Sequence, residues 1–272
     1  PFPACVGAIP ETDPGRLTTD VLGGAVSHHG GLIVRGAFGQ AQVDRLVEVI
    51  ETTHLSRANG DESGGASGAE PSHWFRPFET NGYNQALRDM VAGQGGTWLA
   101  DSPVGTAVVL AELEAAGVTA AIRGHLHERP VFSLQKSTLR RSLPIDKLVA
   151  WHQDGSFLDA DVRTMNVWVA LSPCGGDHPS PGLEVLPRRI DEGLRVDGKQ
   201  TKHAVAEELV AELAEQTPTV VPAFEPGDAI LFDERLLHRT YLTNQMTDIR
   251  YALECWFFAP SHPASTYIPL LV

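Results

Sequence analysis

The chain has 272 residues, 42% apolar and 20% charged, a globular balance that excludes global disorder. Thirty-four Asp and Glu against 21 Lys and Arg give a net charge of −13, which repels phosphate backbones and anionic lipid and argues against nucleic-acid or membrane-surface binding. The most apolar run, Val104 to Ile122, is broken by Glu112 and Glu114 and falls short of a bilayer span, and the three scattered cysteines, Cys5, Cys174 and Cys255, fit a reducing, cytoplasmic setting without a disulfide framework.

The chain opens on Pro1 rather than Met, and a start with two prolines in three residues does not read as a signal peptide. The first forty residues read as a strand, Leu32-Ile33-Val34, leading through a turn at Arg35 to Phe38 into a helix. His28-His29, beside glycines, reads as a surface turn. Val43, Leu46, Val47 and Ile50 keep helical spacing from Gln40 to Glu51. The glycine-rich stretch 59–68 has no apolar period and is expected to be a mobile loop. Helices are predicted over Tyr83 to Ala92 and over Val104 to Ala116, the latter with Ser102 as N-cap, Pro103 at its first position and Gly117 as its stop. His125 and His127 read as partly exposed strand histidines.

From about Val131 the texture turns to short β-rich segments: Val131 to Leu139, Leu148 to Gln153, Thr164 to Leu171, Gly182 to Leu186, Val220 to Phe224, Ala229 to Phe232 and Tyr251 to Phe258. Strands at this spacing suggest a sandwich or barrel. One helix, His203 to Glu215, intrudes. With neither repeats nor a linker, the expectation is one domain over 1–272, mainly β with flanking helices, in which a helical part over about 1–130 packs on a β core over about 131–260.

The chemistry gathers in that β part. Trp151-His152-Gln153-Asp154 ends an apolar strand, where residues two apart share a face. An imidazole and a carboxylate side by side make two-thirds of a facial triad for non-haem iron. Downstream, the turn Glu225-Pro226-Gly227-Asp228 feeds an apolar strand, His238 follows it, and Arg250 opens the last strong strand. A third ligand followed by an arginine suits a chelating keto-diacid, with one end on the metal and the far carboxylate in a guanidinium fork.

In these features the chain resembles the phytanoyl-CoA dioxygenase family of Fe(II)- and 2-oxoglutarate-dependent oxygenases. The matching residues are Trp-His-Gln-Asp at 151–154, Pro-Gly-Asp at 226–228, His238, Thr240 and Arg250, with Gly182 to Pro187 and the opening Gly31 to Phe38 as further likenesses. The resemblance implies a double-stranded β-helix (a cupin-like jelly roll) holding Fe(II) through His152, Asp154 and His238. It implies that Arg250 and Thr240 bind the 2-oxoglutarate co-substrate and that Gln153 and Trp168 line its site. Strand alternation, however, turns Gln153 away from its metal-binding neighbours. Halogenating relatives replace the carboxylate with Ala or Gly. Asp154 therefore points to hydroxylation or another C–H oxidation, using O2 and releasing succinate and CO2. Arg188-Arg189 stands where a Gly-Ser-His pattern is common, so contacts there depart from the family.

Two alternatives share the fold: a cupin-like isomerase or other non-oxidative metal enzyme, and a catalytically silent binding protein. Arg250 and Thr240 separate them from the oxygenase, because only a keto-acid co-substrate needs both. The substrate is expected to be a small or medium-sized metabolite carrying an anionic group, since Arg76, Lys136, Arg140, Arg141, Arg188 and Arg189 fall on segments brought toward the barrel mouth. Trp74, Phe75 and Phe78, beside Arg76, read as core or as a lid over the site.

Overall fold

Alternation along a few central strands gives this protein two working surfaces, and most of the helices pack on one of them. The computed structural model describes residues 7–62, 73–79, 82–144, 150–158, 161–194, 203–264 and 267–272. In chain order the elements are β1 (Glu11–Thr12), α1 (Thr19–His29), β2 (Gly31–Val34), α2 (Gln40–Glu62), α3 (Gly82–Gly93), β3 (Gly96–Trp98), α4 (Pro103–Ala115) and α5 (Val118–Leu126). There follow β4 (Val131–Ser133), β5 (Thr138–Ser142), β6 (Thr164–Ala170), β7 (Gly182–Val185), α6 (Glu207–Gln216), β8 (Ala229–Phe232), β9 (His238–Tyr241), β10 (Arg250–Phe258) and β11 (Pro269–Leu271).

The larger sheet runs β1-β2-β8-β6-β10-β4-β11, with β5 also paired to β10 and β3 to β5. The smaller pairs β7 with β9 and is extended by single bridges from His152 to His238 and from Val220 to Val185. Together they form the expected double-stranded β-helix, mainly β with flanking helices. Residues of one parity on the large sheet, Val167, Val169, Leu231, Leu253 and Phe257, are buried against Leu22, Leu46, Ile50, Val109 and Leu113 of the helices. Those of the other parity, Trp168, Ala170, Ile230, Phe232 and Ala252, meet Leu183 and Val185 of the small sheet. Burying the first face removes apolar surface from water at a gain of roughly 25 cal/mol per Å². No single helix among the described residues is long and apolar enough to cross a membrane.

Several elements differ from expectation. The helix α1 precedes β2, so His28 and His29 close a helix, with Gly30 at φ 81° as its left-handed cap, instead of making a turn. Gly23-Gly24 hides this helix in the sequence, because glycine lowers propensity. Glycine also serves the packing of α1 on α5, since a Cβ on Gly124 would lie 2.0 Å from the Thr19 hydroxyl. His125 lies in α5, a helix rather than a strand. The helix α2 continues past Glu51 to Glu62, into the stretch expected to be loop; 63–72 lie outside the described residues. The Val131 to Leu139 segment is two strands joined by a turn, and His152 makes one bridge instead of ending a strand. Val220 to Phe224 is likewise reduced to single bridges.

The Pro226-Gly227-Asp228 turn is a fastening. Gly227 sits at φ 94°, where a Cβ would lie 2.1 Å from the Phe38 carbonyl. Asp228 then accepts from Arg35 Nη1 (2.7 Å) and the Gly36 amide (2.8 Å), tying the N-terminal arm to the barrel.

Candidate active site

The bridge between His152 and His238 is the register feature that builds the site. Each donates its amide to the other's carbonyl, at 3.1 and 3.0 Å, so the two imidazoles stand beside one another with centroids 4.4 Å apart. Asp154 follows at the start of a short 3-10 turn, its carboxylate 3.6 Å from His152 Nε2. One ligand atom from each of the three residues lies within 4.8 Å of the others.

The surroundings fix the protonation these atoms need. His152 Nδ1 lies 2.8 Å from the Ala150 carbonyl and His238 Nδ1 3.1 Å from that of Leu236. A carbonyl can only accept, so each ring carries its proton on Nδ1 and turns a bare Nε2 to the site. Burial lowers both imidazoles, that of His152 to about 4 with His238 adding to the effect. Burial also raises Asp154, to about 6, against the opposite pull of His152 and Lys136. Asn166 on β6 donates to Asp154 Oδ2 and orients it. Two neutral imidazole nitrogens and one oriented carboxylate match the donor set of a facial Fe(II) site.

The triad opens into a cavity of about 480 Å³ between the sheets. Arg250 is 5% exposed within it. Its guanidinium donates to Ser142 Oγ at 3.2 Å and to the Gly182 carbonyl at 3.3 Å, and lies 5.6 Å from the Trp168 ring centre. Trp168 thus stands at this end, and Thr240 lines the same cavity. Ser142 stands opposite Arg250 in the β5–β10 register.

The remaining expected residues divide by strand parity. Arg140 faces the cavity but is held by Glu254, at 2.6 and 2.8 Å. Lys136 also faces it, its ammonium 4.0 Å from the Phe157 ring centre and 4.5 Å from that of Trp256. Gln153 does not line the cavity. Its amide donates to the Arg235 carbonyl (2.8 Å) and accepts from the Leu194 amide (2.8 Å), so it braces a loop behind the site. Arg141 points to the helices and pairs with Glu51. Arg188 reaches Gln216, and Arg189 pairs with Asp191 and Asp233. Arg76 is exposed and outside the cavity. None of 73–79 lines it; Phe78 instead stacks on Trp98, at 6.3 Å, from outside. The expected six-cation clamp is thus reduced to Lys136 and a neutralised Arg140.

Ser142, Asn166, Glu254 and Trp256 were not foreseen. Parity could have found them: Glu254 and Trp256 share the face of Arg250, Ser142 that of Arg140, and Asn166 that of Trp168.

The model of the phytanoyl-CoA dioxygenase (PhyH) family matches residues 27–250. The chain belongs to that family of Fe(II)- and 2-oxoglutarate-dependent oxygenases. No curated protein matches it by sequence. Among solved structures it is similar to EctD from S. alaskensis with 2-oxoglutarate and 5-hydroxyectoine, at 20% identity and TM-score 0.56, covering 89% of this chain and 77% of that one. It is also similar to AviO1 from Streptomyces viridochromogenes Tue57 (16%, TM-score 0.57, 91% and 98%). A third is the epimerase SnoN in complex with Fe3+, alpha ketoglutarate and nogalamycin RO (15%, TM-score 0.58, 91% and 85%). At these identities the likeness establishes the fold.

Proposed function

We propose that the protein is an Fe(II)- and 2-oxoglutarate-dependent dioxygenase that oxidises a C–H bond of a small or medium-sized molecule, by hydroxylation in the first instance. The observation that carries this reading is the shared cavity: a His-Asp-His donor set and a buried arginine, each held by its own neighbours, open onto one space. Iron and 2-oxoglutarate, when bound, couple reduction of O2 and decarboxylation of the keto acid to succinate with oxidation of the substrate.

His152 and His238 bind through Nε2 while the carbonyls of Ala150 and Leu236 hold their Nδ1 protons. Asp154 supplies the one negative ligand, and Asn166 keeps its second oxygen engaged. Arg250, with Ser142 and Thr240 beside it, takes the far carboxylate of 2-oxoglutarate by charge-assisted hydrogen bonds. Trp168, itself buried, lies against the Arg250 guanidinium at that end. Asp154 would supply the carboxylate ligand that halogenating relatives lack, which supports hydroxylation over halogenation. SnoN, an epimerase, and SnoK, described as a carbocyclase (14% identity, TM-score 0.55), keep stereochemical inversion and ring closure as second readings.

The test is anaerobic binding of Fe(II) and then of 2-oxoglutarate, followed by succinate release on admitting air. Wild type should bind one iron per chain and release succinate; His152→Ala should do neither. Wild-type turnover of 2-oxoglutarate by His152→Ala would remove the triad from the mechanism.

A further inference from the structure

The cavity has two ends. Arg250 and Trp256 lie six residues apart on β10 and face the same way, which at ~3.4 Å per residue separates them by about 20 Å. A five-carbon diacid held at Arg250 is too short to span that distance. The far end has its own polar groups. Trp256 is 2% exposed, and its indole N–H is buried without a hydrogen-bond partner. Above its ring stands the ammonium of Lys136, which also covers Phe157. Among the described residues, no carboxylate or carbonyl accepts a hydrogen bond from that ammonium. The two ring faces offset part of the cost of holding this half-buried ammonium but offer it no lone pair, and the buried indole N–H has no acceptor among the described residues.

Two neighbouring donors without acceptors call for a ligand that supplies oxygen lone pairs. The charge balance narrows the choice. Arg140 is already matched by Glu254, and Asp154 and Glu254 both act electrostatically on Lys136. A phosphate dianion would meet both nearby carboxylates, which favours a singly charged group. Part of the remaining wall is apolar: Leu87, Met90 and Val91 of α3 line the cavity, and Met90 is 53% exposed.

We propose that Lys136 and the Trp256 indole N–H anchor the carboxylate of the molecule to be oxidised, an apolar carboxylic acid whose hydrocarbon body lies along Leu87, Met90 and Val91. The inference rests on the oxygenase reading for its division of the cavity into a co-substrate end and a substrate end. It assigns substrate class to residues distinct from the triad and from Arg250.

The experiment compares 4-phenylbutyrate with its neutral amide, 4-phenylbutanamide, by calorimetry on the metal-free chain. In parallel, 2-oxoglutarate is titrated into the Fe(II)-loaded chain without oxygen. Wild type should prefer the acid at least about tenfold, as expected for a partly desolvated charge-assisted pair. Lys136→Met should remove the preference, Trp256→Phe should weaken it several-fold, and Lys136→Arg should keep most of it, which excludes misfolding as the cause. Arg250→Ala should leave the preference intact while lowering affinity for 2-oxoglutarate. The proposal is overturned if wild type shows no preference for the acid, or if the preference survives Lys136→Met. It is equally overturned if Lys136→Met weakens 2-oxoglutarate as much as 4-phenylbutyrate, since the ammonium then belongs to the co-substrate end. Failure of the oxygenase reading looks different: 2-oxoglutarate goes unbound by wild type while the preference for the acid persists.

Discussion

The strand β10 carries two opposite designs on its two faces. Leu253, Cys255 and Phe257 point to the helices and are fully buried among apolar side chains. Arg250, Glu254 and Trp256 point into the cavity, where charge, an ion pair and an indole N–H meet the same space. The Cys255 thiol fits this helix-facing side, since burial raises its pKa well above the usual range and leaves it an inert hydrophobe. On β10 the helix-facing side chains are apolar and need no ligand; the cavity-facing ones include buried polar groups that a ligand would complete. Stability and function should therefore separate by parity along one strand.

The largest expected effect tests the helix-facing side. Phe257, edge-on to Phe132 at 5.1 Å, has no role in the cavity. Phe257→Ala should cost about 3–5 kcal/mol of unfolding free energy, read by denaturant titration, while the iron stoichiometry of the folded fraction stays at wild type. A comparable stability loss in Arg250→Ala would break the separation. That substitution should instead weaken 2-oxoglutarate by roughly 2–5 kcal/mol in binding free energy with little change in the denaturation midpoint. Arg250→Lys should fall between, because it keeps the charge and loses the fork.

A smaller effect probes the join between the two designs. Asn166 belongs to β6, whose neighbours Met165 and Val167 are core, yet its amide reaches Asp154. Asn166→Ala should lower Fe(II) affinity about 10- to 100-fold, the range for a residue that orients a ligand. Competition with a chelator measures it, and an unchanged affinity would show that the backbone alone positions Asp154.

The sequence reveals the two faces unequally. His152, Asp154, His238 and Arg250 stand in short motifs whose order and spacing are legible, and the structure brings them to one cavity. The cation clamp is not legible, because its members sit on loops and strands whose facing depends on register. Arg140 and Arg141 are adjacent in sequence and end on opposite sides of β5, one held by Glu254 and the other by Glu51. Arg188 and Arg189 follow a strand end, where periodicity gives no direction, and both are taken by neighbours outside the cavity. The helix α1 is hidden for a different reason: its double glycine lowers local propensity, and tertiary packing on α5 overrides it.

The smallest effect concerns a histidine on the helix side. His54 lies on α2, near Arg57 and Arg141, with its Nε2 buried and without a hydrogen-bond partner. Burial first, and then those two cations, lower its pKa from 6.5 to about 4. The folded chain thus refuses a proton that the unfolded chain accepts, so unfolding takes up a proton between those values. Stability from His54 is therefore full above pH 6.5 and is lost as pH falls toward 4, by an amount on the order of 1 kcal/mol. His152 and His238 are lowered as well and add a slope of the same sign in the metal-free chain. The two contributions separate by subtraction: the unfolding free energy of His54→Gln, measured from pH 7 to 4 without metal, should keep the cavity histidines' slope and lose the remainder. Parallel curves for His54→Gln and wild type would mean that the helix-facing side carries no pH dependence through His54, and that the acid sensitivity lies with other groups, the cavity imidazoles foremost.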